Sequence, residues 1–102
     1  MLDGQMRRQS VVDANGRKVP VADLVGSTVN GVREQFALTE GGIMAAMHRQ
    51  GGGAVRGYLE WLTRNGMDSR GNIERIKDAQ TRRTFKSIET RLREFSNVRL
   101  QP

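Results

Sequence analysis

Three consecutive glycines, Gly51, Gly52 and Gly53, divide this chain of 102 residues near its middle. Such a run costs too much backbone entropy to sit inside a helix or strand and belongs where the chain turns sharply. The fold must therefore accommodate an elbow, with two elements meeting across it. Both elements are legible. Before the elbow, Thr39 is a good N-cap, and Ile43, Met44 and Met47 follow at i, i+1 and i+4. After it, Val55, Leu59 and Leu62 recur at i, i+4 and i+7 with Tyr58 beside them, until Asn65-Gly66 supplies a helix stop.

A third helix is written more clearly still. Phe85, Ile88, Leu92 and Phe95 fall at i, i+3, i+7 and i+10, with Lys86, Glu89, Arg91, Arg93 and Glu94 on other faces. The first third of the chain is weaker. Leu2, Met6, Val11 and Val12 among polar residues predict a short helix that Asn15-Gly16 ends. Over residues 17–32, Pro20 fits the entry to a short helix that Gly26 stops, with strand as the weaker reading. Residues 32–37 add one helical turn, 68–72 read as loop and 96–102 as a tail. There is no internal repeat and no low-complexity tract. The expectation is one all-α domain over residues 1–102, with four to six helices.

Composition removes most enzyme classes. With no cysteine, disulfide scaffolds, thiol nucleophiles and Cys-ligated metal sites are excluded. His48 is the only histidine, so multi-histidine metal sites go too, and no cofactor is expected. No stretch approaches the roughly 18 apolar residues of a membrane span. The N-terminus lacks a basic-then-apolar signal pattern, which predicts synthesis in the cytoplasm without Sec export. The net charge of +6 is lopsided: residues 1–51 carry 6 basic and 5 acidic groups, residues 52–102 carry 11 and 6. A basic half attracts polyanions such as nucleic acid, anionic cell wall or an acidic partner, although a solubilising face needs no partner at all.

The elbow is also the most informative segment. Residues 42–59 read Gly-Ile-Met-Ala-Ala-Met-His-Arg-Gln-Gly-Gly-Gly-Ala-Val-Arg-Gly-Tyr-Leu. Ala45 and Ala46 are small enough for close helix packing, and the helix opening at Gly53-Ala54 favours a hydrogen-bond-accepting or anionic ligand at its N-terminus. The glycine run lacks the GxxxxGK[ST] continuation of a nucleotide-binding loop. The segment resembles the second signature of the lysozyme-like superfamily, found in lytic transglycosylases and in phage or secretion-effector muramidases. Ala46-Met47-His48 takes the place of that signature's Ala-Ala-Tyr/His element, and Gly51-Gly52-Gly53-Ala54-Val55-Arg56 that of its Gly-Pro-Gly-Ala-Val-Arg. Arg49, where the family often has Asn, and Gly52 for Pro depart from it. Residues 85–95 are similar to the terminal helix of such domains, and 2–13 to the helix before the signature.

The resemblance implies the C-terminal, glycan-gripping lobe of a muramidase that cleaves peptidoglycan between N-acetylmuramic acid and N-acetylglucosamine. It further implies a catalytic acid outside this chain, and delivery to the bacterial wall by a phage or a secretion machine. The partners implied are glycan strands, an N-terminal catalytic lobe and an acidic immunity protein. His48, Gln50, Gly51, Gly52, Gly53, Arg56 and Tyr58 would meet substrate. Glu40 is the best-placed carboxylate for acid catalysis within the chain. Each residue has a plainer reading: Glu40 as a first-turn acid complementing the helix dipole, Tyr58 and Trp61 as core and rim aromatics, Met44 and Met47 as core fillers. Arg82, Arg83, Lys86, Arg91 and Arg93 read as a solvated face or an electrostatic footprint. Two further functions remain open: a helix-turn-helix nucleic-acid binder using Arg56, Glu60 and Arg64 on the second helix, and a non-catalytic module for an acidic partner.

Overall fold

The computed structural model describes residues 8–96. Its first elements are strands. Strand β1 (Ser10–Val12) pairs antiparallel with β2 (Lys18–Pro20), placing Val11 opposite Val19. The turn between them is held by the Asp13 carboxylate, which accepts from the backbone N–H groups of Asn15 and Arg17, both at 2.9 Å. Gly16 sits at φ +80°, a left-handed conformation that glycine adopts without steric cost. Pro20 then starts a four-residue helix, α1 (Val21–Leu24), which ends before Gly26. A second hairpin follows: β3 (Thr28–Asn30) pairs with β4 (Gln35–Ala37), and Val29 and Phe36 form a buried cross-strand pair. Gly31 is required at its turn, because a Cβ there would lie 2.7 Å from the Glu34 carbonyl oxygen and 2.8 Å from the Phe36 ring.

The chain is therefore mixed α and β and not all-α: two small two-stranded antiparallel sheets accompany the helices. The helix anticipated over residues 2–13 is a strand at its end, and its beginning lies outside the described residues. The helical turn anticipated over 32–37 is instead the bend of the second hairpin, at 32–34, followed by strand β4. The strands are pieces of three residues, too short to show an alternating period; β1, β2 and β3 carry β-branched residues, whereas β4 has none and is held as a strand by its pairing with β3. Only Val21–Leu24 keeps the anticipated helix within residues 17–32.

The three long helices follow the sequence closely. Helix α2 (Glu40–Gln50) is capped by Thr39, whose Oγ1 accepts from the Gly42 N–H at 2.9 Å. Helix α3 (Gly52–Arg64) buries Val55, Tyr58, Leu59 and Leu62. After a 3-10 turn (Ile73–Arg75) comes α4 (Ala79–Ser96), longer at its start than the apolar period alone suggested. Asp78 precedes it, and its carboxylate accepts from the Thr81 hydroxyl at 2.5 Å and from the Thr81 N–H at 2.9 Å; the hydroxyl first and the N–H second hold that carboxyl below its usual range. Ser96 belongs to this helix and is buried, while the rest of the anticipated tail, 97–102, lies outside the described residues.

One core joins these parts. Val11, Val21, Leu24, Val29, Phe36 and Leu38 from the N-terminal part meet Ile43, Ala46, Val55, Tyr58, Leu59, Leu62, Ile88 and Leu92 from the helices. Helix α2 packs along α4. Gly42 makes that approach possible, since a Cβ on it would lie 3.3 Å from the Leu92 carbonyl oxygen. No helix among the described residues is long and apolar enough to cross a membrane.

Candidate functional site

The elbow is tighter than its three glycines suggest. Gly51 alone makes the turn, at φ +88° and ψ 152°. Its N–H donates to the Met47 carbonyl at 2.8 Å, closing α2, while its own carbonyl accepts from Val55 N–H at 3.2 Å, opening α3. A Cβ on Gly51 or Gly53 would meet nothing within 4 Å. The need at Gly51 is thus conformational, and Gly53 presents an open backbone in the first turn of α3, where no side chain caps the helix.

Beside this elbow the end of α2 lies against α4 and leaves a shallow groove of about 740 Å³. Ala45, His48, Arg49, Gln50, Arg91 and Phe95 line it. The spacing explains the grouping. Residues 45, 48 and 49 share one face of α2, and 91 and 95 are one turn apart on α4. One wall is pinned by Gln50, whose Nε2 donates to Ser87 Oγ at 2.8 Å. Ser87, Arg91 and Phe95 thus form a single stripe at i, i+4 and i+8. His48 and Arg49 are exposed, and the Arg91 guanidinium lies 5.9 Å from the centroid of the Phe95 ring.

The other residues singled out from the sequence lie elsewhere. Arg56 faces β1: its Nε donates to the Ser10 carbonyl at 3.2 Å, and Glu60 lies 3.6 Å from its guanidinium. Glu60 in turn accepts from Val12 N–H at 2.8 Å. The pair clamps the first hairpin to α3, leaving Arg64 as the exposed basic residue of that helix. Tyr58 is fully buried, packed edge-on against Phe85 with ring centroids 5.5 Å apart, and Trp61 completes the cluster. Glu40 stands at the far end of α2, eight residues from His48 and hence about 12 Å along the axis.

The basic residues of α4 disperse as well. Lys86 pairs with Glu74 at 2.6 Å and draws its carboxyl below the usual range. Arg93 reaches Glu34 at 3.9 Å, and Arg82 donates to the Ile76 carbonyl at 2.6 Å. Arg91 is the one of the five that enters the groove.

The sequence did not disclose the buried polar junction on the other side of α4. Glu89 is only 3% exposed and accepts from Tyr58 Oη–H at 2.7 Å and from Val32 N–H at 2.9 Å. Burial above all, then the adjacent Glu89 charge and hydrogen bond, push the Tyr58 hydroxyl well above its ordinary pKa. Tyr58 and Val32 lie 31 and 57 positions from Glu89 in the chain, so no local pattern could have exposed the junction.

Chemically, the groove offers donors, one aromatic face and two guanidinium groups, and no carboxyl group lines it. Among the described residues no cluster of His, Cys, Asp or Glu is arranged to hold a metal ion. No family model, curated protein or solved structure matches this chain.

Proposed function

We propose that this chain grips a peptidoglycan glycan strand in the groove between the end of α2 and α4, as the binding lobe of a muramidase-type hydrolase. One observation carries the reading: His48 and Gln50, singled out by the lysozyme-like resemblance of the elbow, line the same open groove as Phe95 and two arginines. A glycan strand presents hydroxyl and acetamido groups along its edges and C–H groups on its ring faces. Donors beside an aromatic ring suit both surfaces. An open groove, unlike a closed pocket, lets a long polymer enter and leave sideways. Because no carboxyl group lines this groove, the acid needed to protonate a glycosidic oxygen comes from outside it.

The test is co-sedimentation of the purified chain with peptidoglycan sacculi, with released muropeptides measured in the supernatant. Pelleting without release is the expected result. His48→Ala should weaken it about five- to tenfold, the worth of one well-placed hydrogen bond, while the melting temperature stays unchanged. A His48→Ala chain that pellets as well as the unaltered one would remove the central residue of this reading. Retention of DNA that falls steeply with salt, with no pelleting, would replace it by nucleic-acid binding.

A further inference from the structure

The charged lining of the groove is wholly cationic. Arg49 and Arg91 line it, and no Asp or Glu does. Four cations elsewhere on the described surface have carboxylate partners: Arg56 with Glu60, Arg70 with Asp68, Lys86 with Glu74 and Arg93 with Glu34. No carboxylate among the described residues pairs with Arg49 or Arg91. Arg91 is nevertheless not loose. Its guanidinium lies over the Phe95 ring, and its neighbour one turn back, Ser87, is tied to Gln50. A guanidinium supported on a ring keeps its N–H fork available for a planar anion, and little side-chain freedom is left to lose on binding.

We propose that this groove selects its ligand by a free carboxylate, held by Arg49 and Arg91, with Phe95 under the adjoining sugar face. The inference rests on the glycan reading and narrows it: a strand carrying carboxylates is bound in preference to a neutral one. A single carboxylate matches two arginine forks in one small groove, whereas a phosphodiester chain calls for a longer track of cations than this lining provides. Wall polymer offers the carboxylate in two places. One is the lactyl side chain of the muramyl sugar after its peptide stem has been removed. The other is the peptide stem itself.

The experiment measures affinity for four ligands: a neutral chitin hexamer, strands stripped of stems by an amidase, strands with stems intact, and stripped strands whose carboxylates have been converted to neutral amides. Carboxylated strands should bind about tenfold tighter than the neutral hexamer, and the amidated strands should fall back to its level. Whichever of the stripped or stem-bearing strands binds tighter identifies the source of the carboxylate. Arg49→Gln and Arg91→Gln should each close most of the gap. Arg17→Gln, on the exposed β1–β2 turn, should leave it intact.

Equal binding of neutral and carboxylated strands overturns the carboxylate inference and leaves the glycan reading standing. Failure to bind any strand overturns both. A preference that Arg17→Gln weakens as much as Arg91→Gln does reflects overall charge and also overturns the inference.

Discussion

Helix α4 has two polar faces built on opposite rules. On one, Glu89 is buried, and both hydrogen bonds it accepts come from neutral donors, the Tyr58 hydroxyl and the Val32 backbone. Among the described residues no buried side-chain nitrogen or oxygen is left without a partner. On the other, Arg91 and Phe95, both half-buried, open onto the groove with the exposed Arg49. The contrast follows from desolvation. A polar group that folding removes from water must be satisfied by the protein or it costs the fold several kcal/mol. A group that stays wet incurs no such cost, so its hydrogen-bonding capacity remains available to a ligand. The Glu89 junction therefore belongs to stability, and the groove keeps the hydrogen-bonding capacity that the proposed recognition would use.

The sharpest way to break this division is to remove Glu89. Glu89→Ala orphans the Tyr58 hydroxyl and the Val32 N–H, each costing about 1–3 kcal/mol, partly offset because a buried charge disappears. A net loss of about 2–4 kcal/mol in urea unfolding is expected. Glu89→Gln, which keeps the shape and one acceptor oxygen, should lose less. If Glu89→Ala unfolds no more readily than Arg91→Gln, the two faces do not differ as described.

Tyr58→Phe addresses the same junction from its other end and adds a pH signature. At neutral pH, loss of the hydroxyl should cost about 1–2 kcal/mol. The pKa of Tyr58 is raised above its ordinary 10.0, so its share of stability is complete below pH 10 and is lost as pH climbs through the higher folded-state value. The unaltered protein should therefore weaken above pH 10 more steeply than Tyr58→Phe, and the stability gap between them should narrow. Tyr58 is the only tyrosine, so the ultraviolet absorbance of tyrosinate reports this group alone. A tyrosinate band that develops at the ordinary pKa, with the fold intact, would contradict the burial argument.

A smaller effect is expected where the helix beneath the groove begins. Thr39→Ala removes the cap on the Gly42 N–H and should cost about 1 kcal/mol. Groove binding should stay unchanged in the folded fraction, because the cap lies at the opposite end of α2.

These elements were not equally legible from sequence. The apolar period runs over about three turns in α4, about two in α3 and little more than one in α2, and Thr39 and Asn65-Gly66 mark boundaries that the structure uses. The strands have three residues each, and one alternation of three cannot be told from one turn of helix. Asn15-Gly16 between valine-bearing segments was a hairpin signal that equally fits a helix stop; the pairing of Val11 with Val19 decides it. At the site, the elbow and its neighbours His48 and Gln50 could be found locally. Arg91 and Phe95 could not, because they join the groove only once α4 lies beside the end of α2. Arg56 drew attention through its place in the elbow motif, yet its guanidinium is committed to β1, 46 positions away.

The smallest expected effect tests the other half of the comparison. If Arg49 and Arg91 serve recognition alone, Arg49→Gln combined with Arg91→Gln should leave stability within about 1 kcal/mol of the unaltered protein, because Arg49 is exposed, Arg91 is half-buried and neither has a carboxylate partner among the described residues. The charge balance adds an opposing contribution that depends on salt. The chain carries a net +6, and two like charges lining one groove repel each other at low ionic strength, so relief of that repulsion should offset part of any loss. Adding salt to about 1 M shortens the screening length to about 3 Å and should erase that offset. The Phe95 ring loses its stacked guanidinium in the same variant, a loss of about 0.5–1 kcal/mol at an exposed site, which sets the upper bound on any destabilisation. A salt-independent loss beyond that bound would mean that the arginines hold α2 against α4, and the groove would then be a structural seam like the Glu89 junction.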